Sequence, residues 1–355
     1  MNVPAARMPE VAAGGARGVV EAARAWRAAG EAFALSLVVG TEGSTYRKPG
    51  AIAAVAADGR RHGAISGGCL EPALVELAQQ ALRDGRARAA TFDTRGEDDL
   101  VFGSGSGCRG LMRVVAFPVL STSVLSTAGT RLFDALDAAH ARGEPLRIAL
   151  LPGDDAAPGR GLVRCGGVEV ALDPLDDATS TSLRAALGGA ASPGRVAAFS
   201  ILPPPRVLLL GAGPEVLPLL RFAHALGWRC SVADHRSGLL DAALGAGAEQ
   251  VLPMRPAPAL VQLAVERFDA VLAMSHLASA DLAALQVLAT REVDYVGLLG
   301  PPPRRDELLG QLGPGQRDAL HGRLHAPVGL ALGGEGPEAI ALAIVAELQR
   351  HFHAP

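Results

Sequence analysis

Lysine is almost missing from this sequence. Of 33 basic residues only Lys48 is a lysine, and all the others are arginine. In a chain so heavy in Ala, Gly and Arg, a lone lysine either marks a place where a compact ammonium fits and a planar guanidinium does not, or stands there by chance. Cysteine is scarce as well. Cys69, Cys108, Cys165 and Cys230 lie far apart and form no Cys-x-x-Cys pair, which excludes a zinc knuckle and a disulfide framework. No apolar run approaches the ~18 to 20 residues that span a bilayer. The opening residues MNVPAARMPEVAAGG lack a charged-then-apolar signal pattern, so a cytoplasmic protein is expected. Neither sign of charge is in excess. A formal net charge of -3 gives no electrostatic reason to expect nucleic acid or an anionic membrane as partner.

What the chain does have is length and apolar content. Its 355 residues, 49 % apolar and 19 % charged, suit a soluble globular protein of two domains. The 43 glycines and 25 prolines gather in a few loops and read as turn chemistry. The polyproline stretch Leu202-Pro203-Pro204-Pro205 stands directly before a new apolar strand and divides the chain into domains 1–200 and 203–355.

The second domain reads cleanly. Strands are predicted over 206–210, 228–233, 250–252, 269–275 and 295–299, with a helix over 214–226, further helical patterns between the strands and a last helix over 337–351. This alternation predicts a Rossmann-like, doubly wound parallel sheet. The first domain is a less regular mixed α/β unit. A helix over 18–29 leads to a strand over 33–39, a polar loop and a hairpin turning at Asp58-Gly59. A Gly-Gly turn then opens a helix that ends near residue 83, and strands follow that end at residue 92 and cover 111–117. Residues 125–200 read as further α/β structure without obvious chemistry.

Several residues carry candidate chemistry. Gly211 and Gly213 follow the first strand of the second domain, and Asp234 follows Gly213 by 21 residues. The glycines would let amides approach a phosphate, and the carboxylate would accept from a ribose hydroxyl. Val216 fills the third glycine position and Pro214 removes one amide, so a bound nucleotide and a vestigial cleft both remain open. His276 ends a strand at the carboxyl edge, where it would orient a substrate, take a proton or simply be exposed. Cys69 sits on the turn Gly67-Gly68 entering a helix, where unpaired amides and the helix dipole favour a thiolate that can bind a soft metal or attack an electrophile. Cys108, next to Gly107 in a second glycine loop, is the weaker candidate, and Cys165 and Cys230 sit in apolar, core-like contexts. Thr41 to Pro49, with Arg47 and Lys48, suits a flat anionic ligand; a solvated turn is the ordinary alternative.

These segments resemble the XdhC/CoxI family of accessory proteins for xanthine dehydrogenase and related molybdenum hydroxylases. The resemblance rests on Gly43-Ser44-Thr45-Tyr46-Arg47-Lys48-Pro49-Gly50, on Ser66-Gly67-Gly68-Cys69-Leu70-Glu71 and on the loop ending in Cys108. It continues through Leu208 to Gly213, Ala233 to Arg236, Ser275-His276, Tyr295 to Gly300 and His325 to Leu330, and leaves only residues 125–200 uncovered. It implies a factor that binds molybdenum cofactor as cargo, shields it while a terminal oxo ligand is exchanged for sulfido, and delivers it to an apo molybdenum hydroxylase. A cysteine desulfurase would supply the sulfur, and a homodimer is left open.

On that reading Cys69 and Cys108 would contact molybdenum or the exchanging sulfur. Arg47, Lys48, Gly67, Gly68 and Gly107 would hold the pterin phosphate, Glu71 would belong to the same cofactor site, and Gly211, Gly213, Asp234 and His276 would line a nucleotide cleft. The chain departs from the family where Arg109-Gly110 follows Cys108, where Pro301-Pro302-Pro303 follows Gly300, and where Gly333 to Glu338 lacks a hydroxyl residue before the proline. Two other readings compete: an NAD(P)-dependent oxidoreductase using the Rossmann half, and a cofactor-free docking scaffold for desulfurase and apo-enzyme.

Overall fold

The computed structural model describes residues 13–95, 109–120, 127–151, 158–190 and 196–353. Cys108 and Gly107 lie outside these residues. The chain forms two compact units, Gly14–Pro204 and one built on Pro205–Pro355.

The first unit begins with α1 (Gly15–Ala28), β1 (Phe33–Gly43), β2 (Ile52–Ala56), β3 (Arg61–His62), α2 (Glu71–Asp84), β4 (Arg88–Asp93) and β5 (Gly110–Val119). These strands make an antiparallel sheet in the order β3-β2-β1-β5-β4. Alternation along β1 assigns its faces. Phe33, Leu35, Leu37 and Val39 join one core, shared with Val19, Ala23 and Trp26 of α1, whereas Ala34 and Val38 join another with Leu74, Leu77 and Ala81 of α2. The strand expected over 33–39 runs on to Gly43, because Thr41 and Glu42 pair with Met112 and Leu111 although they are too polar to extend the apolar pattern. The hairpin turns at Asp58-Gly59, where Gly59 has φ +89° and the Asp58 carboxylate accepts the Arg60 amide.

Next come α3 (Ala128–Arg142), β6 (Leu146–Leu150), β7 (Gly161–Cys165), β8 (Val168–Ala171), α4 (Asp177–Leu187) and β9 (Ala197–Ile201). A second antiparallel sheet forms in the order β8-β7-β6-β9. Its Ile148, Leu150 and Val163 pack into the core of α1, α3 and β1, so 125–200 completes that core.

The second unit contains β10 (Arg206–Leu210), α5 (Val216–Ala225), β11 (Arg229–Ala233), α6 (Ser237–Gly245), β12 (Gln250–Leu252), α7 (Pro256–Gln262), β13 (Ala270–Ala273), α8 (Ala278–Leu288) and β14 (Tyr295–Leu298). It closes with α9 (Pro302–Gly310), α10 (Pro314–Leu320), β15 (Leu324–His325) and α11 (Pro337–Phe352). Its six strands are all parallel, in the order β12-β11-β10-β13-β14-β15. Counted from β10 that is the 3-2-1-4-5-6 order of a Rossmann sheet, with its switch point between β10 and β13. Both faces are covered, which explains the unbroken apolar strands. Val207 and Leu209 face α5 and α11, while Leu208 and Leu210 face α7 and α8.

Candidate functional site

Each unit carries candidate chemistry in loops at the ends of its strands. In the first unit, the loop between β1 and β2 lies against the turn that opens α2. The Tyr46 ring approaches Gly67, and Ser44, Thr45, Tyr46, Cys69, Thr94 and Gly110 surround one small cavity of ≈ 20 Å³. That is room for about one water molecule, so a ligand at Cys69 would lie across the loops and not inside this cavity.

The turn itself is rigid for a chemical reason. The Ser66 hydroxyl donates to the Glu71 carboxylate and accepts the amides of Gly68 (3.2 Å) and Leu70 (3.0 Å), while the Ser66 amide donates to the other Glu71 oxygen at 3.0 Å. Burial pushes the Glu71 carboxyl up, but the hydrogen bonds from Ser66 outweigh it and hold the group below the usual carboxylate range. Gly68 takes φ +121°, with nothing within 4 Å of where a Cβ would stand, so the backbone conformation and not crowding calls for glycine there. On this knot the Cys69 thiol is exposed.

The neighbouring loop is pinned at its base. The Ser44 amide donates to the Arg109 carbonyl at 3.2 Å, and Thr94 exchanges three hydrogen bonds with Gly110 through its amide and hydroxyl. Arg47 and Lys48 are exposed on this loop, with the Lys48 ammonium 3.4 Å from the Thr45 hydroxyl. The structure therefore brings Cys69, Gly67 and Gly68 together with the 43–50 loop. Glu71 turns inward to hold the turn, with 4 % of its surface exposed. Sequence reasoning did not single out the roles of Ser66 and Thr94. Ser66 opens the Ser-Gly-Gly-Cys motif, but its hydrogen bonds run to residues at different spacings and have no periodic signature. Cys165 and Cys230 are buried, and burial pushes the Cys165 thiol up. Among the described residues no group of three or more His, Cys, Asp or Glu could hold a metal ion.

The second unit has a cavity of ≈ 280 Å³ at the carboxyl ends of β10 to β13, lined among others by Gly211, Asp234, His235, Arg255 and Ser275. Gly211 takes φ +128°, and a Cβ there would stand 2.6 Å from the Met274 carbonyl, so only glycine lets the β10 turn pass the end of β13. Asp234 is 3 % exposed and spends both oxygens within the protein. One accepts the Arg236 amide (2.8 Å) and Nε (3.0 Å), the other the Ala212 amide (2.8 Å) and Arg236 Nη2 (2.7 Å). Burial raises its pKa, but these donors dominate and bring it down to about 2.

Glu215, buried at 7 % exposure, folds its carboxylate onto Gly213, so closely that a Cβ on that glycine would collide with it. The helix expected from residue 214 begins only at Val216. His276 is exposed, and its neighbours Ser275 and Leu277 line the cavity while it does not. Beneath them the fully buried Asp281 accepts the Ser275 amide at 3.0 Å and Arg304 Nη2 at 2.6 Å, tying α9 to the end of β13. The roles of Glu215, Arg255 and Asp281 escaped sequence reasoning; the proline after Arg255, a helix-start mark, was the one signal available for it.

Two antiparallel sheets on a shared core, followed by a six-stranded Rossmann unit with an altered glycine turn, define a class of two-part α/β protein. Sequence profiles extend this to a family. Residues 26–93 match that of the XdhC and CoxI family, and residues 207–348 that of the XdhC Rossmann domain. A probable xanthine dehydrogenase subunit from Bacillus subtilis (strain 168) is 30 % identical over 319 residues, 90 % of this chain and 92 % of that protein. The uncharacterized protein YqeB of Escherichia coli (strain K12) is 32 % identical over 154 residues, 42 % of this chain and 28 % of that protein. A crystal structure of a xanthine dehydrogenase from Bacillus halodurans superposes with a TM-score of 0.77 at 26 % identity, covering 94 % of this chain and 96 % of that one. The chain belongs to the XdhC and CoxI family. Among the described residues no helix is long and apolar enough to cross a membrane.

Proposed function

We propose that this protein is a maturation factor for a molybdenum hydroxylase of the xanthine dehydrogenase type. It binds molybdenum cofactor as cargo, protects it during sulfuration and hands it to the apo-enzyme. The observation that carries this reading is the exposed Cys69 thiol, held on the Ser66–Glu71 knot within the segment matched to the family. A sulfur ligand on a hydrogen-bonded turn suits a soft metal centre or its exchanging sulfur. Arg47 and Lys48, exposed on the adjoining loop, suit the phosphate of a pterin. The name of the B. subtilis relative agrees with a xanthine dehydrogenase-like client. A cysteine desulfurase is the expected sulfur donor, and Cys108 the expected second sulfur ligand.

The test is anaerobic titration of the full chain with molybdenum cofactor, for the unaltered protein, Cys69→Ala and Cys108→Ala. Near-stoichiometric binding at micromolar concentration, weakened about tenfold or more by Cys69→Ala, is the expected result, since one lost metal–thiolate contact is worth at least ~1.4 kcal/mol. No binding by the unaltered protein would overturn the reading. Full binding by Cys69→Ala would remove the thiol from it.

A further inference from the structure

The cleft of the Rossmann unit has an unusual distribution of charge. In a dinucleotide-binding sheet the turn after the first strand receives a pyrophosphate, and a carboxylate at the end of the second strand receives the ribose diol. Here both places are taken. The Glu215 carboxylate lies on Gly213, at the start of α5, and Pro214 offers no amide. Asp234 has two donors on each oxygen, which fills the acceptor sites of a carboxylate and leaves none for a hydroxyl.

Nitrogen donors stand where the ribose would lie. His235 follows Asp234 on the cavity wall with its Nδ1 3.5 Å from the Asp234 carboxylate, and Arg236 binds Asp234 and also feels Glu215. Arg255, at the start of α7, is exposed on the same wall, and among the described residues no carboxylate pairs with it. Much of the remaining lining is apolar. Pro256 and Pro258 come from α7, and Leu277, Ala280 and Ala283 from α8 and the turn before it, which suits a flat heterocyclic base. The ≈ 280 Å³ of space falls at the low end of ligand pockets, enough for a nucleoside and too little for a whole dinucleotide.

We propose that this cleft is a nucleoside half-site selecting a ribose that carries a phosphomonoester on its 2′ or 3′ hydroxyl. Arg255 and His235 receive the phosphate, and Glu215 bars a pyrophosphate or 5′-phosphate from the glycine turn. A guanidinium and a doubly ionised phosphomonoester match in geometry and charge, whereas a bare diol offers Arg255 only neutral partners. The assignment does not depend on the molybdenum-cofactor reading.

The experiment is calorimetric titration of the full chain with adenosine, adenosine 2′-, 3′- and 5′-monophosphates and NAD, at fixed salt. Adenosine 2′- or 3′-monophosphate is expected to bind at least tenfold more tightly than adenosine, with the better of the two locating the phosphate; the 5′-monophosphate should bind like adenosine, and NAD not detectably. Arg255→Gln should bring the favoured monophosphate down to the affinity of adenosine and leave adenosine unchanged. Glu215→Gln, which removes the negative charge from the glycine turn, should let the 5′-monophosphate bind more tightly than adenosine. An unaltered thermal unfolding profile of each variant shows that the effect is local. The proposal is overturned if adenosine and all monophosphates bind equally or not at all, if the 5′-monophosphate or NAD binds the unaltered chain best, or if Arg255→Gln changes nothing.

Discussion

Ser66 shows how one hydroxyl organises a functional turn. It donates to Glu71 and accepts two amides, so Ser66→Ala would leave a buried carboxylate short of a donor and the amides of Gly68 and Leu70 without this acceptor. Unpaired buried polar groups cost about 1–3 kcal/mol. Ser66→Ala is therefore expected to lower stability by that amount in urea unfolding. It should also change the alkylation rate of Cys69, whose turn it holds. Unchanged stability and thiol reactivity together would mean that the knot does not position Cys69.

Asp234 gives a prediction in pH. Its folded pKa, about 2, lies below its ordinary 3.8, so ionised Asp234 stabilises the fold above about pH 4, and that contribution is lost as pH falls from there toward 2. A shift of nearly two units in a buried group is worth about 2 kcal/mol. Asp234→Asn should cost about that much at pH 7, and the gap to the unaltered protein should narrow below pH 4. Denaturant titrations at pH 7 and pH 3.5 measure it, and an equal gap at both would contradict the assignment.

At the scale of elements, the strand–turn–helix units of the Rossmann half were legible because a parallel sheet buried on both faces needs short unbroken apolar runs. Val207 to Leu210 is one such run, and each of these residues is fully buried. Leu209→Ala should cost about 2–5 kcal/mol, the usual range for an emptied core position. Gly211→Ala should cost at least about 2 kcal/mol by a different route, since the added methyl meets the Met274 carbonyl and the backbone sits at φ +128°. Thermal unfolding of the two variants checks both, and a neutral Gly211→Ala would show that the turn can move. The first half was less legible at its strand ends. The last residues of β1 are polar or glycine, and the pairing of Gly43 with Gly110 spans too much sequence for a local pattern to reveal.

At the scale of the whole molecule, each unit encloses its own buried clusters, one set drawn from residues before Pro204 and another from residues after Pro205. Residues 14–204 and 205–355 produced separately are each expected to unfold cooperatively, seen as a single sigmoidal transition in circular dichroism. A fragment with no such transition would show that its core depends on the rest of the chain.

Periodicity, glycine and proline placement and motif order determined from the sequence alone that the chain is α/β, that its second half is a doubly wound sheet, and that Cys69 heads a helix. These are local or periodic properties, written in neighbouring residues. Only the tertiary structure decided that Asp234 is spent on Ala212 and Arg236, that Glu215 covers the glycine turn, that Arg255 faces the cleft, and that Glu71 turns inward to hold the Cys69 turn. Which donors a carboxylate meets depends on what the fold brings within about 3 Å, and the partner can sit two or twenty-two residues away.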